Sequence, residues 1–104
     1  MAQYIYVLKP TRLGMLTEGP DDRETGILQA HVTFLDDLLA SGEVVLFGRT
    51  QTADEKTFGI VVFETSDDSA ANGIMNGDPC VEKGIMTATL YPFRVSGLRE
   101  AAPD

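Results

Sequence analysis

Four stretches with the two-residue repeat or β-branched content of strands are separated by one long and one short helical pattern, and their order leaves this chain few folds to adopt. Residues 3–8 alternate, with Tyr4, Tyr6 and Leu8 facing one way and Ile5 and Val7 the other. Residues 44–49 and 58–64 read as the second and third strands. Residues 86–95 read as a fourth, in which Pro92 implies an edge position or a bulge. Between the first two strands, Ile27, Leu28, His31, Phe34, Leu35, Leu38 and Leu39 recur at spacings of three and four, which predicts one apolar stripe along a helix of about five turns. Asp21 to Glu24 resembles a capping box at its start, and Gly42 suits the left-handed position at its end. A second, poorer helix starts at Ser66-Asp67-Asp68 and is weakened by Gly73. Asp78 then precedes Pro79, an arrangement suited to capping a short turn with proline in its first position.

The order is β-α-β-β-α-β, the split pattern of a ferredoxin-like α+β fold, with a four-stranded antiparallel sheet and both helices on one face. A chain of 104 residues suits one domain. We place that domain at residues 1–96 and a flexible tail at 97–104. Residues 9–20 hold two prolines and two glycines and read as a loop. Met15 and Leu16 within it are expected to cover something apolar.

Helices on one face leave the other face bare, and a bare face is normally polar. Here both sides of the strands are apolar. Val44 and Leu46 oppose Val45 and Phe47, and Phe58, Ile60 and Val62 oppose Val61 and Phe63. An exposed patch of that size is rare on a soluble monomer, so a homodimer through the sheet face is expected. Burying four such side chains would favour assembly by roughly 6–12 kcal/mol before association costs.

Charge narrows the partners. The formal net charge is −8, and the eight Lys and Arg residues are scattered, so neither nucleic acid nor an anionic membrane is an expected partner. No segment approaches the roughly 20 apolar residues of a membrane helix, and the first residues lack signal-peptide features. Cys80 is the only cysteine, which rules out an internal disulfide and fits a reducing, cytoplasmic setting. One His and one Cys cannot form a zinc cage within a chain, and no spacing suggests a carboxylate-only site, so no metal is expected; the expected chemistry also uses no organic cofactor.

His31, the only histidine, lies on the apolar stripe and so points toward the sheet. It is either a hydrogen-bonded core residue or a proton-transfer group, since both ring nitrogens need partners when buried. Asp78 is either a routine cap or the carboxylate that orients that imidazole. Cys80, two residues on, is a small core residue or a nucleophile beside the histidine. Arg49 and Arg94 fall at strand ends, where each is a solvated surface cation or a clamp for a substrate carboxylate.

The segments HVTFLDDLLASGEVVLFGRT and FGIVVFETSDDSAANGIMNGDPCVEKGIMTATLYPFR, together spanning about residues 31–94, resemble the YciI-like (YCII-related) family of small dimeric α+β barrel proteins. The matching positions are His31, Gly42, Gly48, Asp78-Pro79 and Pro92-Phe93-Arg94. The resemblance implies a His31–Asp78 dyad in a pocket of each subunit. Related barrels include muconolactone isomerases and cofactor-independent monooxygenases, and one branch of the family is a dehydrochlorinase of a chlorinated hydroxyquinol. The chain departs from the family pattern at Cys80, where an aromatic residue is common, and at Phe93, where tryptophan is usual. Both departures bear on pocket shape, so the substrate does not carry over.

The expected function is proton transfer on a small cyclic or aromatic molecule, an elimination or isomerisation with His31 as acid and base, Asp78 as its orienting partner, and Arg49, Arg94, Cys80 and Met15 around the substrate. The competing expectation is a dimeric module that binds a small ligand or a partner protein without chemistry.

Overall fold

The computed structural model describes residues 1–100. Its elements follow the expected order, as β1 (Ala2–Pro10), α1 (Gly14–Thr17), α2 (Asp22–Ser41), β2 (Val44–Arg49), β3 (Gly59–Thr65), α3 (Asp68–Gly77), α4 (Pro79–Glu82) and β4 (Met86–Phe93). The four strands form one antiparallel sheet in the order β2-β3-β1-β4. The two strands adjacent in sequence, β2 and β3, lie side by side. β1 and β4 close the other half, with Pro92 on the edge strand where its missing N–H costs no ladder bond.

Helix α2 begins as its sequence dictates. The Asp21 side chain accepts from the Glu24 N–H at 2.8 Å, and the Glu24 carboxylate accepts from the Asp21 N–H at 2.9 Å. It ends at Gly42, whose φ of 88° is the left-handed conformation that a side chain would oppose. The helix sets Phe34, Leu35 and Leu38 on Tyr4, Tyr6, Val61 and Phe63, and α3 adds Ala71, Ile74 and Met75 to the same cluster. Both helices therefore cover one face of the sheet. Leu39, at the stripe's margin, stays exposed, because the sheet covers a narrower strip than the sequence spacing outlines.

Several details differ from the sequence reading. β4 ends at Phe93, two residues short of the expected strand. β1 runs two residues further, to Pro10, because it pairs through to Met86 of β4. The loop after it contains the single helical turn α1, which drives Met15 into a second apolar cluster with Cys80 and Ile85. β2 carries a bulge between Val44 and Leu46, so Val44 pairs with Phe63 while Leu46 pairs with Val62. The irregularity breaks the two-residue repeat: Val44 and Phe47 join the helix-side core, and Leu46 falls on the opposite face.

That opposite face carries Ile5, Val7, Ile60 and Val62, with Leu46, Tyr91 and Phe93 at 40, 50 and 43% exposure. Beyond β4, residues 94–100 have no helix or strand, and the end of the expected tail, 101–104, lies outside the described residues. No helix among the described residues is long and apolar enough to cross a membrane.

Candidate functional site

The site is built where α2 crosses the start of α4. Asp78 ends α3 and caps α4, with Pro79 in the first helical position and the Cys80 N–H donating to Asp78 Oδ1 at 3.0 Å. The cap geometry turns the remaining carboxylate valences inward, where Asp78 is completely buried. His31, midway along α2, meets it there, with Nδ1 and Oδ1 2.7 Å apart. The second carboxylate oxygen accepts the hydroxyl of Tyr6 at 2.8 Å. Tyr6 belongs to this site by geometry and was not singled out from the sequence. The available signal was a tyrosine on an alternating, apolar face of the first strand, since a buried phenol needs a hydrogen-bond partner.

These contacts fix the ring's chemistry. An ionised carboxylate only accepts hydrogen bonds, so with Asp78 ionised the Nδ1 atom of His31 carries the proton. Nε2 is left with its lone pair. No protein group bonds to Nε2 among the described residues, and no buried side-chain nitrogen or oxygen there is unpaired. Nε2 is therefore the ring atom that opens outward.

It opens onto a cavity of about 510 Å³. Helix α2 supplies Leu28, His31, Val32 and Leu35, and the segment after β1 supplies Met15, Leu16 and Pro20. The floor is the end of the β2–β3 hairpin, with Phe47, Arg49, Thr57 and Phe58. The volume lies in the range of small-molecule sites, and the lining is mostly apolar, as such sites are.

The segment above the cavity is tied down. Arg12 forms a two-pronged ion pair with the buried Glu24 carboxylate, which also closes the α2 capping box. Those bonds, with the Asp21 N–H second to them, hold the Glu24 carboxyl down at about 2. The Thr11 N–H and hydroxyl donate to the carbonyls of Ile85 and Gly84, both at 3.0 Å. Met15 is thereby wedged over the cavity.

Of the remaining candidates, Arg49 lines the cavity with His31. Cys80 lies behind the dyad rather than in the cavity. Its sulfur, the His31 nitrogen and an Asp78 oxygen fall within 4.8 Å of one another, a spacing at which the three could in principle ligate an ion. The donors do not suit that role as they stand. Nδ1 and the carboxylate are already bonded to each other, and burial, reinforced by the Asp78 charge, pushes the Cys80 thiol up to about 12. Arg94 follows Phe93, which pairs with Gln3 at the end of β1 remote from Leu8, Pro10 and Met86 that line the cavity. The fold of the chain does not bring Arg94 to His31.

With the geometry in hand, comparison adds kinship. The family model described as "YCII-related domain" matches residues 5–94. Among solved structures, 5-chloro-2-hydroxyhydroquinone dehydrochlorinase (TftG) from Burkholderia phenoliruptrix AC1100, in complex with 2,5-dihydroxybenzoquinone, superposes with a TM-score of 0.62 at 15% identity, covering 88% of this chain and 93% of that one. At that identity the likeness is one of fold. No curated protein matches significantly.

Proposed function

Because this chain belongs to the YCII-related domain family, we propose that it is a proton-transfer enzyme working without an organic cofactor, with His31 as the base and a small cyclic or aromatic molecule as substrate. The observation that carries the reading is the orientation of one imidazole: Nδ1 2.7 Å from a carboxylate oxygen of buried Asp78, and Nε2 turned to a largely apolar cavity. A base needs its lone pair at the substrate and its other nitrogen on a carboxylate that stabilises the cationic form. Asp78 and Tyr6 act as positioning residues, the first on the ring and the second on the carboxylate.

The reaction class this supports is elimination or isomerisation. In an elimination of hydrogen chloride, Nε2 takes a proton from a saturated carbon, the carbon–hydrogen electron pair becomes a carbon–carbon π bond to the neighbouring carbon, and chloride leaves that carbon with the carbon–chlorine pair. The imidazolium then returns its proton to water. In an isomerisation the same nitrogen returns it to a different carbon. The dehydrochlorinase with a related fold makes the first class the natural starting point.

We also propose that the working unit is a homodimer packed through the open sheet face, where Ile5, Leu46, Tyr91 and Phe93 would leave water.

The test is a panel of small cyclic and chlorinated phenolic compounds, beginning with 5-chloro-2-hydroxyhydroquinone, assayed for chloride release and for solvent deuterium incorporation. The wild-type chain should turn over at least one member. His31→Ala and Asp78→Asn should each lower the rate by about a hundredfold or more. Full activity in either variant would refute its role. Binding by the wild type with no turnover across the panel would favour the module without chemistry.

A further inference from the structure

Sixteen of the chain's residues are Asp or Glu, yet none of them lines the cavity beside His31. The ionisable side chains that do line it are His31 and Arg49 alone. Asp78 stands behind the ring and presents no oxygen to the cavity, its valences being taken up by His31, Tyr6 and the Cys80 N–H. Arg49 makes no ion pair among the described residues, whereas Arg12 is forked on Glu24 and Lys83 is paired with Glu82. Arg49 is exposed, so its guanidinium is free to meet a ligand at the rim of the cavity.

The floor beside it is close-packed. Gly59 pairs with Arg49 across the hairpin, and a Cβ there would meet the Gly48 carbonyl oxygen at 3.3 Å and the Cβ atoms of Arg49 and Leu8 at 3.8 Å. Glycine at that point lets the backbone, Leu8 and the arginine stem approach one another closely. Phe47 and Phe58 flank the same floor.

We infer that this cavity selects an anionic substrate, a one- or two-ring molecule bearing an ionised oxygen that Arg49 engages while another part of the ring system faces His31 Nε2. The inference rests on the proton-transfer reading for the second half of that statement, while the anion site stands on Arg49 and the cavity lining. The overall negative charge repels anions from the surface at large, so selection has to come from the local cation. A guanidinium grips a carboxylate or an ionised phenol through paired N–H donors, which gives the contact geometry as well as charge. Engaging the charged oxygen also draws electron density away from the ring, which favours loss to Nε2 of a proton on a saturated ring carbon.

Salicylate and its neutral counterpart salicylamide separate charge from shape. Each is titrated against the full chain, following the 15N-labelled ring of His31 by NMR for wild type and Arg49→Gln, and the backbone amides of Phe58 and Gly59 for His31→Gln. We expect salicylate to bind about tenfold or more tightly than salicylamide. Arg49→Gln should bring the two to within about threefold, and Arg49→Lys, which keeps charge but not the fork, should fall between. His31→Gln should abolish turnover and leave the salicylate preference, so failure of the catalytic role and failure of the anion site are read separately. Equal affinities in wild type, a preference that survives Arg49→Gln, or a preference erased by His31→Gln alone would overturn the inference. So would absence of salicylate binding up to its solubility.

Discussion

The Tyr6 phenol and the Asp78 carboxylate, 72 positions apart in sequence, meet at 2.8 Å with neither residue reaching solvent. Burial first, then the Asp78 charge and the hydrogen bond between them, raise the phenol well above its ordinary value, so it remains a donor across the accessible pH range. The carboxylate thus holds a fixed donor on one oxygen and the Cys80 N–H and His31 on the other. Its orientation is decided by the fold, and the orientation of the imidazole follows from it.

Tyr6→Phe removes that donor and leaves Oδ2 of Asp78 unpaired in a dry site. The variant should lose about 2 kcal/mol of stability in urea unfolding, the range for a hydrogen bond to a buried charge. A loss under about 0.5 kcal/mol would mean that the phenol contributes little to holding the carboxylate.

Cys80 should behave as a core residue. Its thiol is completely buried and pushed up to about 12, against an ordinary value of 9.0. The thiolate at neutral pH is then about a thousandfold scarcer than for a free cysteine. Iodoacetamide at pH 8 should leave folded protein unlabelled over the time that modifies the urea-unfolded chain completely. Equal labelling rates would reinstate Cys80 as an accessible nucleophile.

The strap over the cavity should carry an acid dependence. Glu24 titrates at about 2 in the fold and at 4.5 when unperturbed, so its folded value is the lower of the two. Its contribution is fully present above pH 4.5 and is lost as pH falls from there toward 2. Wild-type melting temperature should drop through that window, and Glu24→Gln should be less stable at pH 7 and show a shallower drop. Superimposable pH profiles would contradict the role given to the Arg12 pair.

The open sheet face should hold two copies together. Sedimentation should find a dimer at micromolar concentration, and Tyr91→Lys, placed across from Ile5 on that face, should shift it toward monomer. A wild-type monomer under the same conditions would remove the assembly from the account.

The helix boundaries and the Asp78 cap could be read from the chain because their causes are local. Asp21 and Glu24 complete a capping box within one turn, and Asp78 and Pro79 are adjacent. The inward face of His31 was legible for the same reason, since helical spacing ties it to Leu28 and Leu35. The bulge beside Val44 was not, because it is a property of pairing with β3 and leaves no mark on composition. The Tyr6 contact was beyond reach in another way. Spacing put its ring on the same face as Tyr4 and Leu8, but which face the helices take, and which helix end arrives over Tyr6, depends on how α2, α3 and α4 seat on the sheet. Arg49 and Arg94 look equivalent in sequence, both at strand ends, and the antiparallel register sends them to different ends of the sheet.

The central claim is that His31 carries its proton on Nδ1, against Asp78, and offers Nε2 to the cavity. Two-bond nitrogen–proton NMR on chain labelled with 15N-histidine reads that arrangement directly in the neutral ring. Wild type should show protonated Nδ1 and bare Nε2, with the tautomer reversed in Asp78→Asn, whose amide can donate to Nδ1. A wild-type ring protonated on Nε2 would contradict it, because the base would then have no lone pair facing the substrate.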